Sequence, residues 1–141
     1  MSQRAKIGVD NFRQGFNCAQ SVLLAFEDLV NIDKNTLLNI GVALGGGFAR
    51  TRNLCGAVNA MGIVYGLVVK PDKAKAYAEM QDPINEIKSI FGSINCCEML
   101  KGVSVTSGFV PQERTETYYA TRPCEKVVEK SILALEKILY N

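Results

Sequence analysis

The stretch Gly45-Gly46-Gly47-Phe48-Ala49-Arg50-Thr51-Arg52-Asn53-Leu54-Cys55-Gly56-Ala57-Val58-Asn59-Ala60-Met61-Gly62-Ile63-Val64-Tyr65-Gly66 decides the fold. Three glycines and two arginines precede Cys55, which opens an apolar run rich in small residues. Glycine there frees the backbone for left-handed or tight conformations, or lets another backbone come close. Gly56 and Ala60, then Gly62 and Gly66, recur four apart, so a helix here is open to close packing and offers a face for a homodimer. A thiol at the mouth of that helix lies beside unpaired backbone N–H groups and the positive end of the helix dipole. That is the setting in which cysteine ionises most easily. The run from Leu54 to Val69 is shorter than the roughly 20 residues a bilayer needs, and Asn59 interrupts it. It predicts a buried core helix, capped by Asn53, with Cys55 in its first turn.

Outward from this stretch, helical periodicity dominates. Ala5, Val9, Phe12 and Phe16 mark a first helix over about Gln3 to Gln14, stopped by Gly15. Asn17 with Gln20 forms a capping box for a second helix from Cys18 to about Leu29. Asp33 caps a third through Leu44, which the three glycines end. Pro71-Asp72 opens a helix with an apolar stripe at Tyr77, Met80, Ile84, Ile87 and Phe91, closed by Gly92, and Pro83 predicts a kink or restart inside it. Ile94-Asn95-Cys96-Cys97-Glu98-Met99 repeats the cap-then-cysteine logic in a short helix. Lys101 to Gln112 reads as loop. The last helix begins near Pro123 and runs to about Tyr140. The prediction is one all-α domain over residues 1–141, a bundle of about six helices with short loops.

Composition narrows the function. The 141 residues suit a single domain with a real core. A net charge of +2 gives no ground for a nucleic-acid or membrane partner. The absence of histidine excludes a Ser-His or Cys-His pair, His-ligated haem and mixed Cys/His zinc from this chain alone. The amino terminus lacks the apolar segment of a signal peptide, which points to a reducing, cytoplasmic setting. There the five cysteines are reactive, metal-binding or buried rather than paired in structural disulfides.

Cys18, Cys55, Cys96 and Cys124 each fall at a predicted helix start, 37, 41 and 28 residues apart. A shared site would therefore be assembled by tertiary folding. Any one of them alone reads most simply as core packing, and the repeated placement after a cap is what singles out the set. Cys97 is a spare or outer thiol. Gly46, Gly47, Arg52 and Gly56 are candidate cofactor-binding residues, although the glycines lack a G-K-[ST] continuation and favour a helix stop with close packing. Arg50 and Arg52 are either surface charges or the cations that stabilise thiolates. Tyr118-Tyr119 reads as packing.

Cys18, then Cys55-Gly56-Ala57, then Cys96 and Cys124, resembles a family of redox-active proteins named for a C…CGAxxG…C…C signature and related to a domain of split-Soret cytochromes. The resemblance spans nearly the whole chain and includes Asn17-Cys18-Ala19-Gln20 and Phe91-Gly92-Ser93-Ile94-Asn95-Cys96. The closing glycine of the motif is Ala60 here. The resemblance implies a redox-active set of Cys18, Cys55, Cys96 and Cys124, as an iron–sulfur electron-transfer centre or a thiol–disulfide site, serving an unknown redox partner. Haem is not carried over, because the residues for it are missing. The alternative is a zinc- or ligand-binding helical module without redox chemistry.

Overall fold

In the computed structural model, which describes residues 2–140, the chain is all-helical, as the periodicity predicts. Nine α-helices occur among the described residues: α1 (Gln3–Arg13), α2 (Cys18–Ala25), α3 (Glu27–Val30), α4 (Lys34–Gly41), α5 (Gly56–Val69), α6 (Lys73–Phe91), α7 (Cys96–Met99), α8 (Glu116–Thr121) and α9 (Cys124–Leu139). A single 3-10 turn, Val42–Leu44, follows α4. Six of the nine have eight or more residues, matching the expected number of substantial helices.

The core forms where α2 lies on α5, and α9 covers α1, α2, α5 and α6. Leu23, Phe26, Met61, Val64, Ile132 and Leu135 are fully buried there. Helix α5 is central, with Ala57 and Ala60 at zero exposure, as a core helix requires. No helix among the described residues is long and apolar enough to cross a membrane. The small-residue face divides in two: Gly56 meets the core, whereas a Cβ at Gly62 or Gly66 would touch nothing within 4 Å.

Several boundaries differ from the sequence reading. The predicted second helix breaks at Phe26, because the Ala25 carbonyl accepts from the Arg4 guanidinium (2.7 Å), which also lies over the Phe26 ring. Helix α6 is one helix through the buried Pro83, so of the expected kink or restart the restart does not occur. Tyr77 heads the predicted apolar stripe of α6 yet is exposed, while Ile87 lower on the stripe is fully buried. Asn53 does not cap α5; its backbone is tied into a short antiparallel bridge, and Cys55 takes the cap position. Asn95 makes no side-chain cap bond; the Ser93 hydroxyl accepts from its N–H instead (3.0 Å). Helix α8 was not expected, and its signal is Thr115, whose hydroxyl accepts from the Tyr118 N–H (3.2 Å).

Leu23 fixes the α2 layer. Replacing it with alanine should lower stability by about 2–5 kcal/mol, seen as a reduced urea midpoint at unchanged slope.

Candidate redox site

The first cysteine is positioned by polar ties. Asn17 accepts from the Gln20 N–H (2.8 Å), and Gln20 accepts from the Asn17 N–H (3.1 Å), completing the predicted capping box. The Asn17 amide also donates to the Gly41 and Val42 carbonyls, both at 3.1 Å, and Gln20 donates to Leu38 (3.1 Å). These bonds lock the start of α2 to the end of α4. The start of α5 then arrives at Cys18. A Cβ on Gly56 would lie 2.9 Å from Cys18 Sγ and 2.6 Å from the Leu44 carbonyl oxygen. Only glycine lets the two helix starts meet.

The second and third cysteines are joined by the glycine-rich turn. Gly46, Gly47, Phe48, Ala49 and Arg50 run consecutively at φ of 63°, 66°, 74°, 51° and 60°, and Arg52 follows at 63°. Left-handed backbone costs a non-glycine residue about 1–2 kcal/mol, so this turn must be held in place. Ala49 donates back to Ala43 (2.7 Å), Arg52 to Gly46 (3.0 Å) and Asn53 to Gly47 (2.8 Å). The chain then pairs with the segment before α7 through the Leu54–Asn95 bridge. Cys55 N–H donates to Ile94 (2.9 Å) and Cys96 N–H to Asn53 (2.7 Å). A Cβ on Gly47 would sit 2.6 Å from Cys96 Cβ, so this glycine is what admits the third cysteine. Arg52 Nη1 donates to Cys96 Sγ at 3.6 Å.

Cys124, the first residue of α9, completes the set. Cys18, Cys55, Cys96 and Cys124 all line one cavity of about 350 Å³, together with Gly46, Gly47, Arg52 and Gly56. Cys97 is exposed and lies outside it. Tyr118 and Tyr119 pack with Phe12 in an aromatic cluster, and Tyr118 also borders the cavity. Arg50 reaches across to the 101–112 loop, donating to the Gly108 (2.9 Å), Val110 and Thr106 (2.8 Å) carbonyls. The sequence reading missed Arg114 and Arg122 as wall residues. The position of Arg122, two residues before Cys124, was the available signal.

Cys18, Cys55 and Cys124 are not equivalent, contrary to the expectation that each helix start favours a thiolate. Cys18 is held down to about 7. The chief cause is the S–H of Cys55, and the N–H groups of Ala57, Gly56 and Ala19 assist against the opposing effect of burial. Cys55 is pushed well above the ordinary thiol value by donating to Cys18 and by burial. Cys124 is pushed up to about 12, mainly by burial and by the charge of Cys18, with Arg122 opposing. At Cys124 burial outweighs the dipole of α9.

The donor set is of the all-cysteine kind that zinc and iron–sulfur clusters use. The spacing does not fit a single ion as folded: among the described residues, no three Cys, Asp or Glu side chains are grouped to hold one.

Fold and site together define an all-helical thiol protein. The family model described as "Putative redox-active protein (C_GCAxxG_C_C)" matches residues 16–138, and the chain belongs to that family. Neither a curated protein nor a solved structure matches the chain.

Alkylation of Cys18 by iodoacetamide, followed by peptide mapping, should rise with pH around a midpoint near 7, because only the thiolate reacts. In Gly56→Ala the added methyl pushes the sulfur off the α5 N–H groups, so the midpoint should move upward. The same variant should lose about 1–3 kcal/mol of stability to overpacking, less the roughly 1 kcal/mol that alanine gains in a helix.

Proposed function

We propose that this protein carries a two-electron dithiol–disulfide couple on Cys18 and Cys55. One observation carries the reading: Cys18 and Cys55 line the same cavity, and the start of α5 comes so close to Cys18 that a Cβ on Gly56 would lie 2.9 Å from its sulfur. With Cys18 held down to about 7 and Cys55 pushed well above the ordinary thiol value, the two serve as nucleophile and proton-bearing partner. Cys18 is the thiolate that attacks an incoming disulfide sulfur; Cys55 keeps its proton until it resolves the mixed disulfide. Closing the Cys18–Cys55 bond passes two electrons to the incoming disulfide and releases the Cys55 proton to solvent. Cys124 stays protonated near neutral pH and does not compete as a nucleophile. Cys96, which accepts from Arg52, lines the same cavity. This arrangement replaces the usual C-x-x-C pair by two cysteines 37 residues apart.

The iron–sulfur reading keeps one supporting observation, that all four cysteines border a single cavity. It would require the sulfurs to close inward from their present spacing.

Mass spectrometry separates the two. Oxidation of the reduced protein with a small disulfide should remove two mass units and link the Cys18 and Cys55 peptides. Cys18→Ser and Cys55→Ser should each abolish the link, and Cys97→Ser should retain it. Stoichiometric iron and acid-labile sulfide after anaerobic reconstitution, lost in Cys96→Ser and Cys124→Ser, would replace the dithiol reading.

A further inference from the structure

The cavity is charged in one sense only. Four of the six arginines in the chain, Arg50, Arg52, Arg114 and Arg122, line it, and no aspartate or glutamate does. The other two, Arg4 and Arg13, lie outside it and pair with Asp28 and Glu125. None of the four cavity arginines forms an ion pair among the described residues. Arg114 spends its donors on the Phe12 (2.6 Å) and Phe16 (2.9 Å) carbonyls, and Arg50 spends two nitrogens on the 101–112 loop. Arg52 and Arg122 retain capacity. Arg122 is only 9% exposed, lies over the Tyr118 ring at 4.3 Å, and bonds Gln112 through Nη2. Its Nε is buried with no hydrogen-bond partner. A buried guanidinium with an idle donor and no counter-ion is costly unless an anion completes it. Burial, and then the charges of Arg52 and Arg122, lower the affinity of Arg50 for its proton.

Depth and size restrict the anion. The attacking Cys18 is half-buried in the cavity wall and its resolving partner Cys55 is 7% exposed, which favours a disulfide small enough to enter the cavity. A volume of about 350 Å³ is that of a small-molecule site. We propose that the cavity receives a low-molecular-weight disulfide bearing carboxylates, with Arg122 and Arg52 gripping a carboxylate beside Cys18. This rests on the dithiol reading above and names its substrate class. Guanidinium recognises carboxylate through paired N–H donors, which sets the orientation of the substrate sulfur. The Cys18 thiolate attacks one substrate sulfur; the S–S bond breaks and one thiolate leaves, taking a proton from solvent. The Cys55 sulfur then gives up its proton to solvent, attacks Cys18 Sγ and releases the second thiolate, which takes a proton from solvent in turn. The substrate disulfide is reduced to two thiols, and the cysteine pair is oxidised to a disulfide.

The test compares three disulfides of similar size with the fully reduced protein in stopped flow: dianionic 3,3′-dithiodipropionate, neutral 2-hydroxyethyl disulfide and dicationic cystamine. The anionic reagent should react at least about tenfold faster than the neutral one, and cystamine slowest, with the differences shrinking as salt rises. Arg122→Gln and Arg52→Gln should each cut the anionic-to-neutral rate ratio severalfold; a thermal melt identifies a variant that has lost its fold, and the other then decides. Equal rates for all three reagents would overturn the anion site while leaving the dithiol couple intact. Failure of every reagent to link Cys18 to Cys55 would overturn the dithiol reading itself.

Discussion

The structure depends on a missing methyl group. Helices α2 and α5 form the heart of the bundle, and their N-terminal ends meet where Gly56 faces Cys18 Sγ and the Leu44 carbonyl. Any side chain at 56 would hold the two helix starts apart. With hydrogen in its place, a sulfur from one helix comes up against the N-terminal end of the other. Packing and electrostatics are therefore set by one contact. The approach that closes the core also supplies the donors that stabilise a charge there.

Around that contact the chain adopts backbone that sequence alone would not choose. Five consecutive residues, Gly46 to Arg50, are left-handed, and three of them carry side chains. Their hydrogen bonds to the preceding 3-10 turn, with the Leu54–Asn95 bridge, hold the turn shut. The result aims Arg52 at Cys96 and lets Gly47 pass beneath it. Strained backbone concentrated beside a reactive group is a common property of functional sites, because rigid surroundings fix the geometry that chemistry needs.

Much of this was legible in the residues. Asn17-Cys18-Ala19-Gln20 announced a capped helix start, and that capping box is formed. The glycine-rich lead-in marked the turn, and four cysteines at helix starts marked the cavity they line. What stayed hidden depended on distant partners. Phe26 breaks the second helix because Arg4, on α1, takes the Ala25 carbonyl. Asn53 and Asn95 look like caps, but bridge pairing and Ser93 occupy their backbones. The inequality of the thiols was also out of reach, since helix position alone makes them alike. Only the folded chain sets the Cys18 sulfur against the start of α5 at Gly56, while Cys124 is left to burial.

The cavity wall is drawn from both ends of the polypeptide. Arg114 donates to Phe12, 102 residues away in sequence, and α9 closes over α1. During synthesis, α2 and α5 leave the ribosome well before the helix that roofs them, so their sulfurs pass through a period without shelter. Contacts so far apart along the chain form late and slow folding. Maturation of this protein should therefore be most vulnerable to stray oxidation in the interval before its last helix docks.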